Sequence, residues 1–270
     1  MKYLSILIII ALALANASGE PSDTNSLTEK VLEPNIADIN VAVLTAQTSV
    51  NKNITYKLAQ TVAAHYAKYR WEGARVGEGQ LYVAPDGAPE VYYFVVFKKG
   101  ASVKTQTELL NEVRELRSQR VKIEETLGNI PESTVKTERS IARSIWVQMS
   151  AADKYGTIVV GAHEGREPFV ASYNGLPPHI FLKGDAIETR RNQIKGENPG
   201  EPKYLWLPPL YVVFEFPPTD KQEGNRFLEA RGIELKEALL AHWERSVVPE
   251  NVLRERKGKW QGLRRALNVK

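Results

Sequence analysis

The stretch VYYFVVF, residues 91–97, is an uninterrupted run of β-branched and aromatic side chains. Such a run has no polar face, so it predicts a strand at the centre of a sheet that is covered on both sides. The segment QLYV, residues 80–83, predicts a second strand, and Pro85-Asp86-Gly87 separates the two. Because an Asp-Gly pair favours a tight β-turn, the sequence predicts an antiparallel hairpin here.

Helical periodicity lies on both sides of this hairpin. Upstream, Leu58, Val62, Tyr66 and Tyr69 recur at intervals of three or four residues, which predicts a helix that ends near Arg70. Downstream, residues 105–127 and 137–152 predict two further helices joined by a turn at residues 128–131.

These two downstream helices form a predicted helical hairpin, inserted at about residues 102–152. The second helix has an expected apolar stripe of Ile141, Ile145 and Met149. We expect the hairpin to pack on the chain's own sheet. Dimerisation through its heptad-like apolar seam is the alternative.

Strand patterns return in the second half, at residues 156–161, 168–173, 204–207 and 210–216. A polar stretch with Gly and Pro covers residues 183–202, and a helix is predicted from about residue 224 to 246, followed by a basic tail. This order predicts the α+β class, with an antiparallel sheet packed on helices. We expect residues 53–185 to form one domain, with residues 186–270 packed on it.

Composition excludes several classes of protein. The chain has 270 residues, of which 43% are hydrophobic and 25% charged, and these fractions exclude a disordered, collagen-like or polytopic membrane chain. The net charge of +4 is too small to argue for a nucleic-acid partner. Cysteine is absent, so disulfides, thiolate metal sites and a cysteine nucleophile are excluded as well.

The N-terminus has the pattern of an export signal. Lys2 precedes an apolar run at residues 4–14, and Ala15-Asn16-Ala17 fits a signal peptidase site. We therefore expect a signal peptide at residues 1–17, an extended leader at residues 18–52 and a secreted or extracytoplasmic protein. An uncleaved N-terminal anchor is the alternative.

The motifs of the common enzyme classes are missing. The sequence has no Gly-x-Ser-x-Gly elbow, no His-Glu-x-x-His pair and no glycine-rich phosphate loop. We therefore expect no enzyme, no cofactor and no metal site. The best single catalytic candidate is His163, which has Glu164 and Arg166 nearby in a turn, and a serine hydrolase that uses His163 is the alternative.

The basic tail, residues 252–270, permits two interpretations. Leu253, Trp260, Leu263 and Leu267 fall on one stripe at helical spacing. We expect a terminal helix whose Trp260 and Leu263 pack on the core. The alternative is a segment that binds an anionic membrane or an envelope polymer.

Four segments carry a family resemblance: LAQTVA at residues 58–63, the strand at 91–97, GTIVVGA at 156–162 and PFVASYNG at 168–175. In this order they resemble the pro-domain of streptopain-type cysteine peptidases and the related stand-alone Spi inhibitors. The resemblance implies a cystatin-like fold, in which a sheet wraps on a helix. It also implies a protein partner, since that family occupies the active-site cleft of papain-like peptidases.

The chain departs from this family in two respects: the helical insertion interrupts the pattern, and no peptidase domain with a catalytic Cys follows. The resemblance thus implies a secreted, non-enzymatic protein-binding module, an inhibitor or pro-region-like partner of a papain-like peptidase. An envelope-associated scaffold held by the basic tail is the alternative. The candidate binding residues lie at the ends of two loops: His163, Glu164, Arg166, Asn174, Gly175, Pro177 and His179.

Overall fold

A computed structural model of the protein describes residues 52–126, 144–207, 211–219, 224–229, 234–235 and 248–269. The predicted signal peptide, the leader up to residue 51, the turn at residues 128–131 and Ile141 lie outside these residues. The helices are α1 (Tyr56–Arg70), α2 (Gln106–Thr126), α3 (residues 144–151), α4 (Pro178–Phe181), α5 (Lys183–Gln193) and α6 (Glu250–Ala266). The strands are β1 (Arg75–Val83), β2 (Pro89–Phe97), β3 (Tyr155–Gly161), β4 (Phe169–Asn174), β5 (Lys203–Leu207), β6 (Tyr211–Phe216), β7 (Arg226–Glu229) and β8 (Glu234–Leu235).

The strands form one sheet in the order β4-β3-β2-β1-β5-β6-β7-β8. Every neighbouring pair is antiparallel except β1 and β5, which run parallel and meet at Val83 and Leu205. The α+β class is therefore confirmed, and the sheet is antiparallel except at this one pair. The sheet also crosses the expected division between residues 185 and 186, so both halves of the chain share it.

The predicted central hairpin is present. β2 lies between β1 and β3 and is buried along most of its length, as its apolar run predicts. Gly87 occupies the left-handed region at φ +82°, and Asp86 Oδ1 accepts the N–H of Ala88 at 3.0 Å. β1 begins at Arg75, earlier than the apolar pattern predicts, because its first half is polar and rich in glycine.

One face of the sheet is covered by α1 and α6. The α1 helix starts where Thr55 caps it, with Thr55 Oγ1 accepting the N–H of Leu58 at 3.3 Å. Leu58, Val62 and other α1 residues pack on Phe94, and Trp260 of α6 completes the same cluster. The prediction of a terminal helix with Trp260 in the core is confirmed.

The opposite face is covered by α2, α3, α4 and α5. Leu109 of α2 and Val147 and Ala151 of α3 pack on strands β2 and β3, so the described part of the insertion packs on the chain's own sheet as expected. The predicted stripe on α3 is wrong, because Ile145 is exposed and Met149 is 57% exposed. The buried face of α3 uses the smaller side chains of Val147 and Ala151, which hydrophobicity alone does not select.

The second half differs from the sequence analysis in two places. The polar stretch after residue 183, for which no element was predicted, begins with α5, whose buried residues are Ala186 and Arg190, too few apolar positions to give a helical pattern. The predicted helix at residues 224–246 is replaced by β7 and β8 where the structure describes it, and residues 236–246 lie outside the described residues. Pairing of β7 with β6 overrides the local helical pattern.

Candidate binding surface

The candidate residues form two groups at opposite ends of strand β3. His163, Glu164 and Arg166 lie in the loop that joins β3 to β4, beyond Gly161. The remaining candidates are Asn174, the last residue of β4, and three residues that follow it, and β4 pairs with the start of β3 through Asn174 and Gly156. A strand of 7 residues separates the groups by about 20 Å, so they do not form one site.

The first group belongs to a buried ionic cluster around Glu90, whose side chain is 3% exposed. Arg166 Nε lies 2.6 Å from Glu90 Oε2, and His163 Nε2 lies 3.7 Å from the same atom. Burial alone would raise the pKa of Glu90, but the nearby His163 ring and the charge and hydrogen bond of Arg166 outweigh it and lower the pKa. The Arg166 guanidinium also stacks 4.6 Å from the Trp206 ring.

His163 has partners at both ring nitrogens. Nδ1 accepts the N–H of Gly165 at 3.1 Å, and Nε2 faces Glu90. Asn53 and His163 form a bridge, and Glu164 donates its N–H to the Lys52 carbonyl at 3.0 Å. Both ring nitrogens of His163 therefore face groups of this chain's own loop and of Glu90. A serine hydrolase would instead need the imidazole to face a serine hydroxyl.

Helix α6 clamps the same loop from the other side. Trp260 is fully buried and its Nε1 donates to the Arg166 carbonyl at 2.9 Å. Arg256 donates to the Gly165 carbonyl, and Arg264 pairs with Glu164, each at 2.7 Å. These basic side chains of the tail, with Lys259 beside Glu167, are thus directed at the chain's own loop.

At the other end of β3, three of the candidates are buried. His179 is 3% exposed, its N–H donates to Tyr82 Oη at 3.0 Å, and its Nδ1 lies 3.1 Å from the same oxygen. Burial lowers the pKa of His179 to about 3, so the ring is neutral. Gly175 and Pro177 are buried too. The expectation that these three residues contact a partner does not fit their burial.

Gly175 is required by the backbone. Its φ of +109° disfavours any L side chain, and a Cβ there would collide with Gln148 Oε1. Gln148 in turn accepts the N–H of Leu176 at 2.9 Å and donates to its carbonyl at 2.7 Å. The absence of a side chain at Gly175 therefore leaves the space in which Gln148 of α3 binds the backbone of Leu176.

Asn174 is exposed and belongs to a surface that the sequence did not reveal. Its Oδ1 accepts from Trp71 Nε1 at 3.2 Å and from Lys98 Nζ at 2.7 Å. Lys98 Nζ lies 5.6 Å and the Arg70 guanidinium 5.9 Å from the centre of the Trp71 ring. We call the following residues the aromatic–cationic patch: Lys68, Tyr69, Arg70, Trp71, Lys98, Lys99 and Asn174.

An aromatic strip continues from this patch along the outer side of α1. Tyr69 is 80% exposed, and the His65 ring lies 5.0 Å from it and 5.3 Å from the ring of Tyr66. Tyr66 lies 4.7 Å from Phe169, the first residue of β4. The aromatic strip therefore consists of His65, Tyr66, Tyr69 and Phe169. Tyr66 also packs against the core under α1, whereas Tyr69 is exposed, a difference that helical spacing does not report; the consecutive Tyr69-Arg70-Trp71 was the available signal.

Other kinds of site find little support in the part of the chain that the structure describes. A cavity beside His179 has a volume of 10 Å³, which is room for one water molecule. Within the described ranges, His, Asp and Glu side chains form no cluster that could hold a metal ion. None of the described helices is both long and apolar enough to span a bilayer. Comparison with known proteins found no match to a family model, to a curated protein or to a solved structure.

Proposed function

We propose that this protein is a secreted, non-enzymatic protein-binding module that binds its partner through the aromatic strip and the aromatic–cationic patch. The observation that carries the proposal is the exposure of Tyr69 beside Arg70 and Trp71. Trp, Tyr and Arg are enriched among the residues that carry most of the binding energy of protein interfaces. All three residues belong to, or directly follow, a helix anchored in the core, so the surface is preorganised.

The partner class we propose is a papain-like cysteine peptidase, with the protein acting as an inhibitor or pro-region-like partner. Two features support this class. The sequence resembles streptopain-type pro-domains, and α1 packs across the antiparallel strands β2 and β3, which suits a cystatin-like arrangement. The aromatic strip starts at Phe169, close after the clamped loop, so a partner on the strip would also meet a rigid loop tip.

The test is a titration of the chain without its signal, residues 18–270, against papain-like peptidases including a streptopain-type enzyme. Residual activity and complex formation are both followed. We expect stoichiometric inhibition by the wild type, and a loss of about tenfold or more in affinity for Tyr69→Ala, as for an interface anchor. The matched control is Val103→Ala, which removes an exposed apolar side chain outside the strip and patch.

Two results would count against the proposal in different ways. Absence of binding at micromolar concentration would remove papain-like peptidases as the partner class. Binding that is equally strong for Tyr69→Ala and the wild type would show that another surface makes the contact.

A further inference from the structure

We propose that the open edge of β4 receives an extended acidic segment of the partner, which adds to the sheet as a further strand. This inference rests on the proposed protein-binding function and specifies how the partner is recognised. The mode is β-strand addition, in which main-chain hydrogen bonds supply affinity and flanking side chains supply selectivity.

The two ends of the sheet differ in how they are protected. Natural edge strands avoid unwanted pairing by being short or by carrying charge or proline. β8 at one end has only 2 residues, including Glu234. β4 at the other end has 6 residues, FVASYN, with no charge and no proline. Among the described residues only β3 pairs with β4, so within this part of the chain no strand covers the outer edge of β4.

The hydrogen-bond alternation identifies the groups on this edge. Gly175 donates its N–H to the Tyr155 carbonyl at 2.9 Å, and the register pairs Tyr173 with Thr157 and Ala171 with Val159. Hydrogen-bonded and non-hydrogen-bonded pairs alternate in an antiparallel ladder. Gly175, Tyr173 and Ala171 thus direct their main-chain groups at β3. The N–H and C=O groups of Ser172 and Asn174 point outward.

The aromatic strip lies on the helix side of this edge. Phe169 contacts Tyr66, and Asn174 contacts Trp71, so both ends of β4 touch α1 or the residue that follows it. A strand added beside β4 would place alternate side chains on that same face. Apolar side chains at those positions would meet the exposed ring of Tyr69 and its neighbours.

Charge favours an acidic segment. The charged side chains around the patch are the cations Lys68, Arg70, Lys98 and Lys99 and the anions Glu72 and Asp153. Cations therefore outnumber anions at the Asn174 end of β4. An acidic run in the added strand at this end would be attracted to the patch, and the attraction would weaken as salt is raised.

The experiment uses the chain from residue 18 to 270 and a fluorescent peptide that alternates valine and threonine and ends in a run of aspartates. A second peptide ends in lysines instead. We expect the aspartate peptide to bind about tenfold more tightly in a fluorescence anisotropy titration. Ser172→Pro, which removes an outward N–H, should weaken binding by about tenfold, whereas Ser172→Ala should not change it.

Hydrogen exchange keeps the test decisive if Ser172→Pro does not fold. In the wild type, the peptide should slow exchange of the Ser172 and Asn174 amides. Equal affinity for the two peptides, equal binding by the proline and alanine variants, or slowed exchange only elsewhere would each overturn the inference. If Ser172→Pro inhibits a peptidase as strongly as the wild type does, strand addition is refuted and the proposed peptidase-binding function stands. If the aspartate peptide binds but no papain-like peptidase does, the peptidase is refuted as the partner class and strand addition at β4 is supported.

Discussion

Replacing Trp260 with alanine tests whether the basic C-terminal helix belongs to the folded core. The indole is fully buried against α1 and the sheet, and its Nε1 donates to the Arg166 carbonyl at 2.9 Å. The substitution therefore removes both a large apolar contact and a hydrogen bond. It also loosens the contact that aligns Arg256, Lys259 and Arg264 with the β3–β4 loop.

The expected cost follows from these contacts. Removing a buried Trp or Phe side chain costs about 3–5 kcal/mol, and the lost hydrogen bond leaves a carbonyl that costs about 1 kcal/mol more if water does not reach it. We therefore expect Trp260→Ala to lower the free energy of unfolding by about 4 kcal/mol. This is a large share of the roughly 5–15 kcal/mol that folded proteins have in total.

Urea unfolding followed by circular dichroism measures this change. The midpoint should fall by more than about 1 M with little change in slope, since a few kcal/mol is divided by a slope of about 3 kcal/mol/M at most. Gln261→Ala is the matched control, because Gln261 is the exposed neighbour on the same helix. A loss below about 1 kcal/mol for Trp260→Ala would refute the reasoning. The tail would then be detachable, and binding to an anionic envelope surface would become the better interpretation.

Three further predictions concern single residues. Burial lowers the pKa of His179 to about 3 from 6.5, so between those pH values the unfolded chain binds a proton that the folded chain does not. Acidification through this range should then reduce the unfolding free energy of the wild type by about 1.4 kcal/mol per pH unit. The urea midpoint of His179→Gln should fall less steeply with decreasing pH than that of the wild type; an equal pH dependence of the two midpoints would contradict this. Glu90→Gln removes the buried carboxylate that pairs with the Arg166 guanidinium and should cost about 3 kcal/mol in urea unfolding, against almost nothing for the exposed Glu72→Gln; similar costs would disprove the buried pairing. Gly175→Ala should lower the melting temperature and cost at least about 2 kcal/mol, whereas Gly184→Ala has open space and should be neutral or stabilising by about 0.5 kcal/mol; a tolerated Gly175→Ala would show that the left-handed conformation is not needed.

The elements that the sequence predicts correctly are those with a local physical cause. The β1–β2 hairpin follows from an Asp-Gly turn between two apolar runs, and α1 follows from its helical spacing. α5 lacks such a cause, since its buried positions include Arg190 and few apolar side chains. β7 and β8 form through pairing with β6 and with each other, a non-local contact that local propensity does not report.

The same distinction separates the candidate residues. His163, Glu164 and Arg166 are close in the sequence, so one turn brings them together. Their partner Glu90 is 76 residues from Arg166, and no spacing rule connects the two. Likewise, Trp71 and Asn174 are 103 residues apart. The aromatic–cationic patch exists only after the sheet has aligned the end of α1 with the ends of β2 and β4.

The hydrogen-exchange footprint of a complex with a streptopain-type peptidase tests the central claim most directly, because it reports which backbone amides the partner covers. The account predicts slowed exchange in peptides that span residues 65–71 and 169–174. Residues 250–266 of α6 should exchange as they do in the free protein, since that helix already packs on the chain's own loop. Slowed exchange confined to α6, or no slowing at residues 65–71 and 169–174, would contradict binding through the aromatic strip and patch.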